Sequence, residues 1–249
     1  MKSPAQFAAE SESRPELPYA TCERVSGYGV MGQPFTSGHI LGLRRWTASS
    51  IGAGFTSIWH RDPAGTWTFY ETEPDGFACS RYFGGDADRL RIEPIHLEWL
   101  DQHRLRIRTA SGSVDWTVEM QSSTRTRLMS FIGPILPLAV WRWGPVLRGI
   151  GTIAGAALRV GRVQLTGKTS NNQHFDANPL RIWHVASSHA TVEGVDVGPA
   201  GPLQEQAHMA DFYFPQHGIF ALGRVFVTPP PAEVAAQPGP GVAVRERPR

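Results

Sequence analysis

The sequence predicts a mainly β protein, built as one antiparallel barrel or as two packed curved sheets, with one or two helices inserted around residues 128–160. Three observations predict it. Residues 95–120 alternate apolar and polar side chains through three successive runs. Asp62-Pro63-Ala64-Gly65 separates two aromatic runs with the residue types a type I turn requires. Residues 128–160 then abandon the alternation for a Gly- and Ala-rich stretch of helical period.

In chain order, residues 1–19 are polar and contain Ala and Pro, so they are expected to form a flexible arm. The first β half spans 20–127. HILGLRRW (39–46), Phe55–His60 and Thr66–Thr72 read as strands, and the last two form a hairpin around the Asp62 turn. Ile95, Leu97 and Trp99 are followed by Leu105 and Ile107, then by Val114, Trp116, Val118 and Met120. Charged or polar residues lie between them, as in an antiparallel meander with one buried face. Pro94 marks an edge or a bulge just before the first of these strands.

The helical insertion follows at 128–160. Leu147, Ile150, Ala154, Ala157 and Leu158 share one helical face, and Pro145 suits a first turn. Pro134 and Pro137 restrict the preceding stretch to a short or broken helix. A second β half spans 161–228, with strands expected around Val163 and Leu165, at 180–186 and at 218–227. Residues 229–249 are rich in Pro and are expected to form a disordered tail.

Composition excludes several function classes. A net charge of +2 and the lack of a basic stripe with interleaved aromatics speak against nucleic acid. No apolar run reaches the length of a membrane helix, and the N-terminus lacks the apolar core of a secretory signal. Two cysteines, Cys22 and Cys79, make no disulfide framework, and a reduced, cytoplasmic setting is expected.

No cofactor and no metal is expected. Gly149-Ile150-Gly151-Thr152-Ile153-Ala154 matches a dinucleotide fingerprint only as letters, because no strand precedes it. Close helix packing explains its small residues better. Gly167-Lys168-Thr169 lacks the upstream glycine of a phosphate loop, and the histidines show no zinc spacing. Ser never stands in a nucleophile elbow.

The candidate site residues are polar groups on strands that should face an apolar interior. His39 and Arg81 are the first pair, as proton carrier and electrostatic anchor, with His60 as a further catalytic candidate. His60 and Asp62 equally suit a strand end and a turn cap. Arg44 and Arg45 cannot both face inward, because neighbours on a strand point to opposite sides. Trp59, Trp67, Phe69, Tyr82 and Tyr213 are the candidate ligand-binding wall.

The stretch from Gln121 through Phe175 holds no Asp or Glu but carries Arg125, Arg127, Arg142, Arg148, Arg159, Arg162 and Lys168. Such a segment covers a core, lines the mouth of an apolar pocket, or makes peripheral contact with an anionic membrane through 128–160.

TSIWHRDPAGTWTFYET (56–72), SRYFGG (80–85) and the strand–helix–strand order across 35–228 resemble the calycin-like group. That group includes lipocalins and the two-sheet carotenoid hydratase, tocopherol cyclase and attachment-protein families. The resemblance implies curved antiparallel sheets around an apolar pocket and isoprenoid- or polyketide-like ligands, and it transfers no catalytic residue. The expected function is binding of an apolar small molecule in a β-barrel pocket. The alternatives are a cofactor-free lyase, hydratase, isomerase or cyclase using the same pocket, and a membrane-surface interaction protein.

Overall fold

The computed structural model describes residues 2–229. All of the expected Pro-rich tail except Pro229 lies outside them. The chain is mainly β, as the alternation predicts. In chain order the strands are β1 (Glu23–Val30), β2 (Gln33–Pro34), β3 (Ile40–Ser49), β4 (Phe55–Arg61), β5 (Trp67–Glu71), β6 (Arg89–Ile92), β7 (Ile95–Trp99) and β8 (Arg104–Thr109). They continue with β9 (Val114–Gln121), β10 (Thr166–Lys168), β11 (His174–Val192), β12 (Val195–Asp196), β13 (His208–Met209), β14 (Phe212–Tyr213) and β15 (Ile219–Thr228). The helices are α1 (Pro4–Ser13), α2 (Ser80–Phe83), α3 (Thr124–Ile132) and α4 (Gly144–Leu158).

The main sheet runs in the order β6-β5-β4-β3-β1-β15-β11-β9-β8-β7. Its neighbours are antiparallel except for β5 and β6. The expected hairpin forms β4 and β5, and the Gly65 amide donates to the Asp62 carbonyl at 3.0 Å across the turn. The expected meander forms β7, β8 and β9.

The sheet curls strongly. β6 and β7 stand at opposite ends of the strand order, yet only Glu93 and Pro94 join them. A link that short spans about 11 Å at most, so the two edges of the sheet come round to each other. Arg91 of β6 crosses the seam to Ser113 Oγ at 3.0 Å and to Glu193 at 2.8 Å. Pro94 therefore separates two edge strands, in agreement with the sequence reading. Register shifts at Ser26/Gly27, Pro179/Arg181 and Val185/Ser187 add the bends that curl requires. At Gly27 the neighbouring strand comes so close that an added Cβ would lie 2.0 Å from the Arg45 carbonyl oxygen.

Strands from both sequence halves share the main sheet, where β11 and β15 sit between β1 and β9. Two local expectations are corrected. The stretch around Val163 and Leu165 pairs only from Thr166 onward; the backbone before it packs against α4. The N-terminal arm is the helix α1, which starts with a capping box between Ser3 and Gln6 and has Pro4 in its first turn.

One face of the sheet is concave, because its core joins residues from opposite ends of the strand order. Leu43, Ile58 and Tyr70 share a cluster with Ile107, Trp116 and Val118. Trp183 and Phe220 meet in its middle with ring centres 5.8 Å apart. α1 closes over this face. Its Phe7 ring lies 5.8 Å from that of Trp183, and Glu12 accepts from Tyr28 and Arg45. The opposite face has two covers: α2 with the β13–β14 hairpin over β3–β5, and α4 over β11 and β15.

Candidate functional site: an apolar cavity beneath the helical cover

The interior expected to hold a guest is occupied by the protein's own side chains. Trp116, Trp183 and Phe220 are fully buried there. Depressions of about 980 and 520 Å³ flank α1, and both have mixed polar and apolar walls. The apolar cavity lies elsewhere. It measures about 460 Å³ and runs between α3, α4, the β13–β14 hairpin and the sheet at β11 and β15.

The local chain order explains why a space forms there. β9 pairs with β11 only from His184 to Val192, which leaves the preceding residues of β11 without that neighbour. α3 takes its place. Its N-terminus is capped by Ser123 and Thr126, and Ser130 Oγ accepts from the Ile182 amide at 2.9 Å. The chain then turns through Pro134 and Pro137 into α4. Gly151 and Gly155 let α4 approach the Val163 and Gly161 carbonyls, where added Cβ atoms would stand at 2.5 and 2.3 Å. The glycines of the fingerprint-like stretch therefore serve helix packing. Ile150, Ala154, Ala157 and Leu158 of the expected apolar face line the cavity, and Leu147 is buried.

Both walls carry small side chains. Ala154 and Ala157 come from the helix, and Ala221, Gly223 and Gly27 from the sheet. Leu128, Ile132 and Ile153 belong to the wall and are also exposed, so they form an apolar mouth. Among the described residues the lining contains no Asp, Glu, His, Cys or Lys. Its charged members are arginines. Arg125 donates to the Ala157 carbonyl at 2.7 Å, and Arg181 donates to the Ser130 carbonyl. Asn178 Oδ1 and Arg224 Nε, on paired residues of β11 and β15 at the cavity wall, are buried without hydrogen-bond partners among the described residues.

No family model matches this chain, and no curated protein matches it. Among solved structures it is similar to an acetoacetate decarboxylase from Legionella pneumophila subsp. pneumophila, with a TM-score of 0.38 and 10% identity over 88% of this chain and 92% of that one.

The sequence-predicted site residues do not converge on the cavity. His39 Nδ1 and His60 Nε2 are 2.9 Å apart, and the rings stack. Burial, reinforced by His39, pushes the His60 imidazole down to about 4. Burial also lowers His39, against the pull of Asp62. Arg81 is not with them. His39 precedes the first residue of β3, whereas Arg81 pairs with Glu23 near the other end of that ten-residue strand. By strand rise, the two sites lie roughly 30 Å apart.

Arg81 stands on a helix, α2, instead of the strand-like stretch expected. Glu23 takes both its guanidinium and the Tyr82 hydroxyl, the latter at 2.8 Å. Burial raises the Glu23 carboxyl, and these hydrogen bonds outweigh it, leaving the group below its ordinary range. Trp59, Trp67 and Phe69 are packed core: Trp59 stacks on Phe69 and Trp67 on Phe214, each at 4.7 Å. Tyr213 alone of the proposed wall lines the cavity, with the Arg162 guanidinium 4.2 Å above its ring.

Arg44 and Arg45 point to opposite sides as expected. Arg45 meets Glu12 on the α1 side, while Arg44 is buried on the other face. Arg44 donates to the Val30, Leu43 and Met31 carbonyls and lies over the Trp59 ring. Burial pushes it down to about 10. Nearby, Ser57 of β4 and Ser80 of α2 donate to buried Glu71 of β5, whose carboxyl burial raises. Cys79 lies in the same core, its thiol pushed up to about 12 by burial and then by Glu71. Sequence reasoning missed this polar row and the cavity. The run without acidic residues marked the cavity's helical wall, but its sheet wall comes from distant strands.

Proposed function

We propose that this chain binds an apolar small molecule in the cavity beneath α3 and α4. The carrying observation is a space of about 460 Å³ with an almost wholly apolar lining and an apolar mouth. Pockets of roughly 300–1,000 Å³ with a few polar groups are the size that encloses an organic ligand. An isoprenoid- or polyketide-like molecule suits that volume and polarity. The buried Asn178 and Arg224 atoms supply an acceptor and a donor at the wall.

The wall favours binding over turnover. Among the described residues no imidazole, carboxylate, thiol or amine group lines the cavity, and of the side chains that commonly move protons only the phenols of Tyr28 and Tyr213 do. The His39–His60 pair belongs to a different part of the sheet.

The test is a titration of the full chain with the neutral fluorophore N-phenyl-1-naphthylamine, alongside Ala154→Trp, which places an indole in the cavity. Saturable one-to-one binding to the native chain and at least tenfold weaker binding to the variant are expected. Equal binding by both, or no saturable binding by the native chain, would remove the reading.

A further inference from the structure

The exposed large apolar side chains of the described residues cluster on the helical cover. Phe131 is 69% exposed, Ile153 67%, Ile135 63% and Trp143 61%, with Leu128 and Ile132 beside them. Leu128, Phe131, Ile132 and Ile135 recur at helical spacing along α3 and just beyond it. Elsewhere exposed groups such as Tyr19, Phe77, Leu100 and Val195 are scattered through the chain. Exposed apolar groups gathered on one cover in this way mark an interaction site.

Its charge says what the partner is. Arg125, Arg127, Arg142, Arg148, Arg159, Arg162 and Lys168 are all exposed on or beside the cover. Among the described residues none of them pairs with a carboxylate. Elsewhere Arg45, Arg81, Arg91, Arg104, Arg106 and Arg108 each hold an acidic partner, and among the described residues the exposed Arg14 and Arg89 do not. The cover thus presents unneutralised cations around projecting aromatic and aliphatic groups.

We infer that the α3–α4 cover docks this protein on an anionic lipid bilayer, with the cavity mouth turned toward the membrane. A bilayer surface offers anionic headgroups to the arginines and an apolar layer to Phe131, Ile153 and Trp143. A second copy of the chain fits less well, because a twofold contact would set the same unpaired cations against one another. The docking surface stands on exposure and charge alone. That the cavity exchanges its ligand there rests on the proposed binding function.

The experiment is co-sedimentation of the full chain with phosphatidylcholine vesicles, with and without phosphatidylserine, at low and high salt. Pelleting with the phosphatidylserine vesicles is expected, with partitioning at least tenfold weaker on phosphatidylcholine alone or in high salt. Phe131→Asp with Ile153→Asp abolishes pelleting while leaving the thermal midpoint unchanged, since both side chains are exposed. Arg127→Glu with Arg148→Glu lowers partitioning roughly tenfold or more. Ala154→Trp keeps vesicle binding while losing the fluorophore, which separates docking from cavity occupancy. Equal partitioning on both vesicle types, or full binding by both double variants, would overturn the proposal. So would a concentration-dependent dimer, abolished by the Asp variants, in a chain that ignores vesicles.

Discussion

On the concave face, Trp116, Trp183 and Phe220 meet across the curled sheet and α1 closes over them. Beneath α3 and α4 the facing walls stop short of each other and leave about 460 Å³. Both regions join helix to sheet through apolar side chains, and they differ in what lines the space left over. The depressions beside α1 have mixed polar and apolar walls, whereas the cavity, with Ala154, Ala157, Ala221 and Gly223 among its lining, is almost wholly apolar. The polar groups follow the same division. Glu12 satisfies Tyr28 and Arg45 where α1 sits, while the arginines around α3 and α4 have no acidic partner among the described residues. A region whose rings pack together and whose charges are paired holds the fold, and one that leaves an apolar cavity and unpaired charge has room for a partner.

The largest expected effect separates the two regions by stability. Trp183→Ala removes a fully buried ring, and urea denaturation should show a loss of about 3–5 kcal/mol. Ile153→Ala on the cover should cost under about 0.5 kcal/mol. Similar losses from both would break the distinction.

The pH dependence of stability comes next. The folded chain holds the His60 imidazole down at about 4, against an ordinary value of 6.5. Between those values the unfolded chain binds the proton and the folded chain does not, so stability rises with pH. The contribution is complete above about pH 6.5 and lost as pH falls through about 4, and it amounts to roughly 3 kcal/mol. His60→Phe should flatten that part of the stability–pH curve. Glu71, raised by burial, acts in the opposite direction and is common to both proteins.

A smaller effect belongs to the helix that closes the concave face. Glu12→Ala removes a half-exposed pair with Arg45 and the acceptor of the Tyr28 hydroxyl, and should cost about 1 kcal/mol. Arg148→Ala, on the other side of the molecule, should leave the thermal midpoint unmoved while weakening vesicle binding.

Much of the sheet was legible because alternation is a local signal. Ile95–Trp99, Arg104–Thr109 and Val114–Gln121 each carry their burial pattern in their own residues. α1 was not read, because its Ala-rich composition resembles an unstructured tail and its Phe7 packs on strands far along the chain. The Ser3-Pro4-Ala5-Gln6 capping box was the signal available. β11 was read short: Pro179 stands within it, at a bulge next to α3 that no local pattern announces. Of the candidate residues, His39 meets His60 and not Arg81, with which the sequence reading paired it, and the cavity depends on pairings between distant strands that periodicity cannot supply.

The most direct measurement is methyl NMR of the full chain during titration with N-phenyl-1-naphthylamine. Met129, Ile150, Ile153 and Ile219 belong to the cavity wall, whereas Ile58, Ile107 and Met120 belong to the concave core. Shifts confined to the first group, saturating at one equivalent, are the expected result. Shifts centred on Ile58, Ile107 and Met120, with the α3–α4 methyls unmoved, would contradict the account.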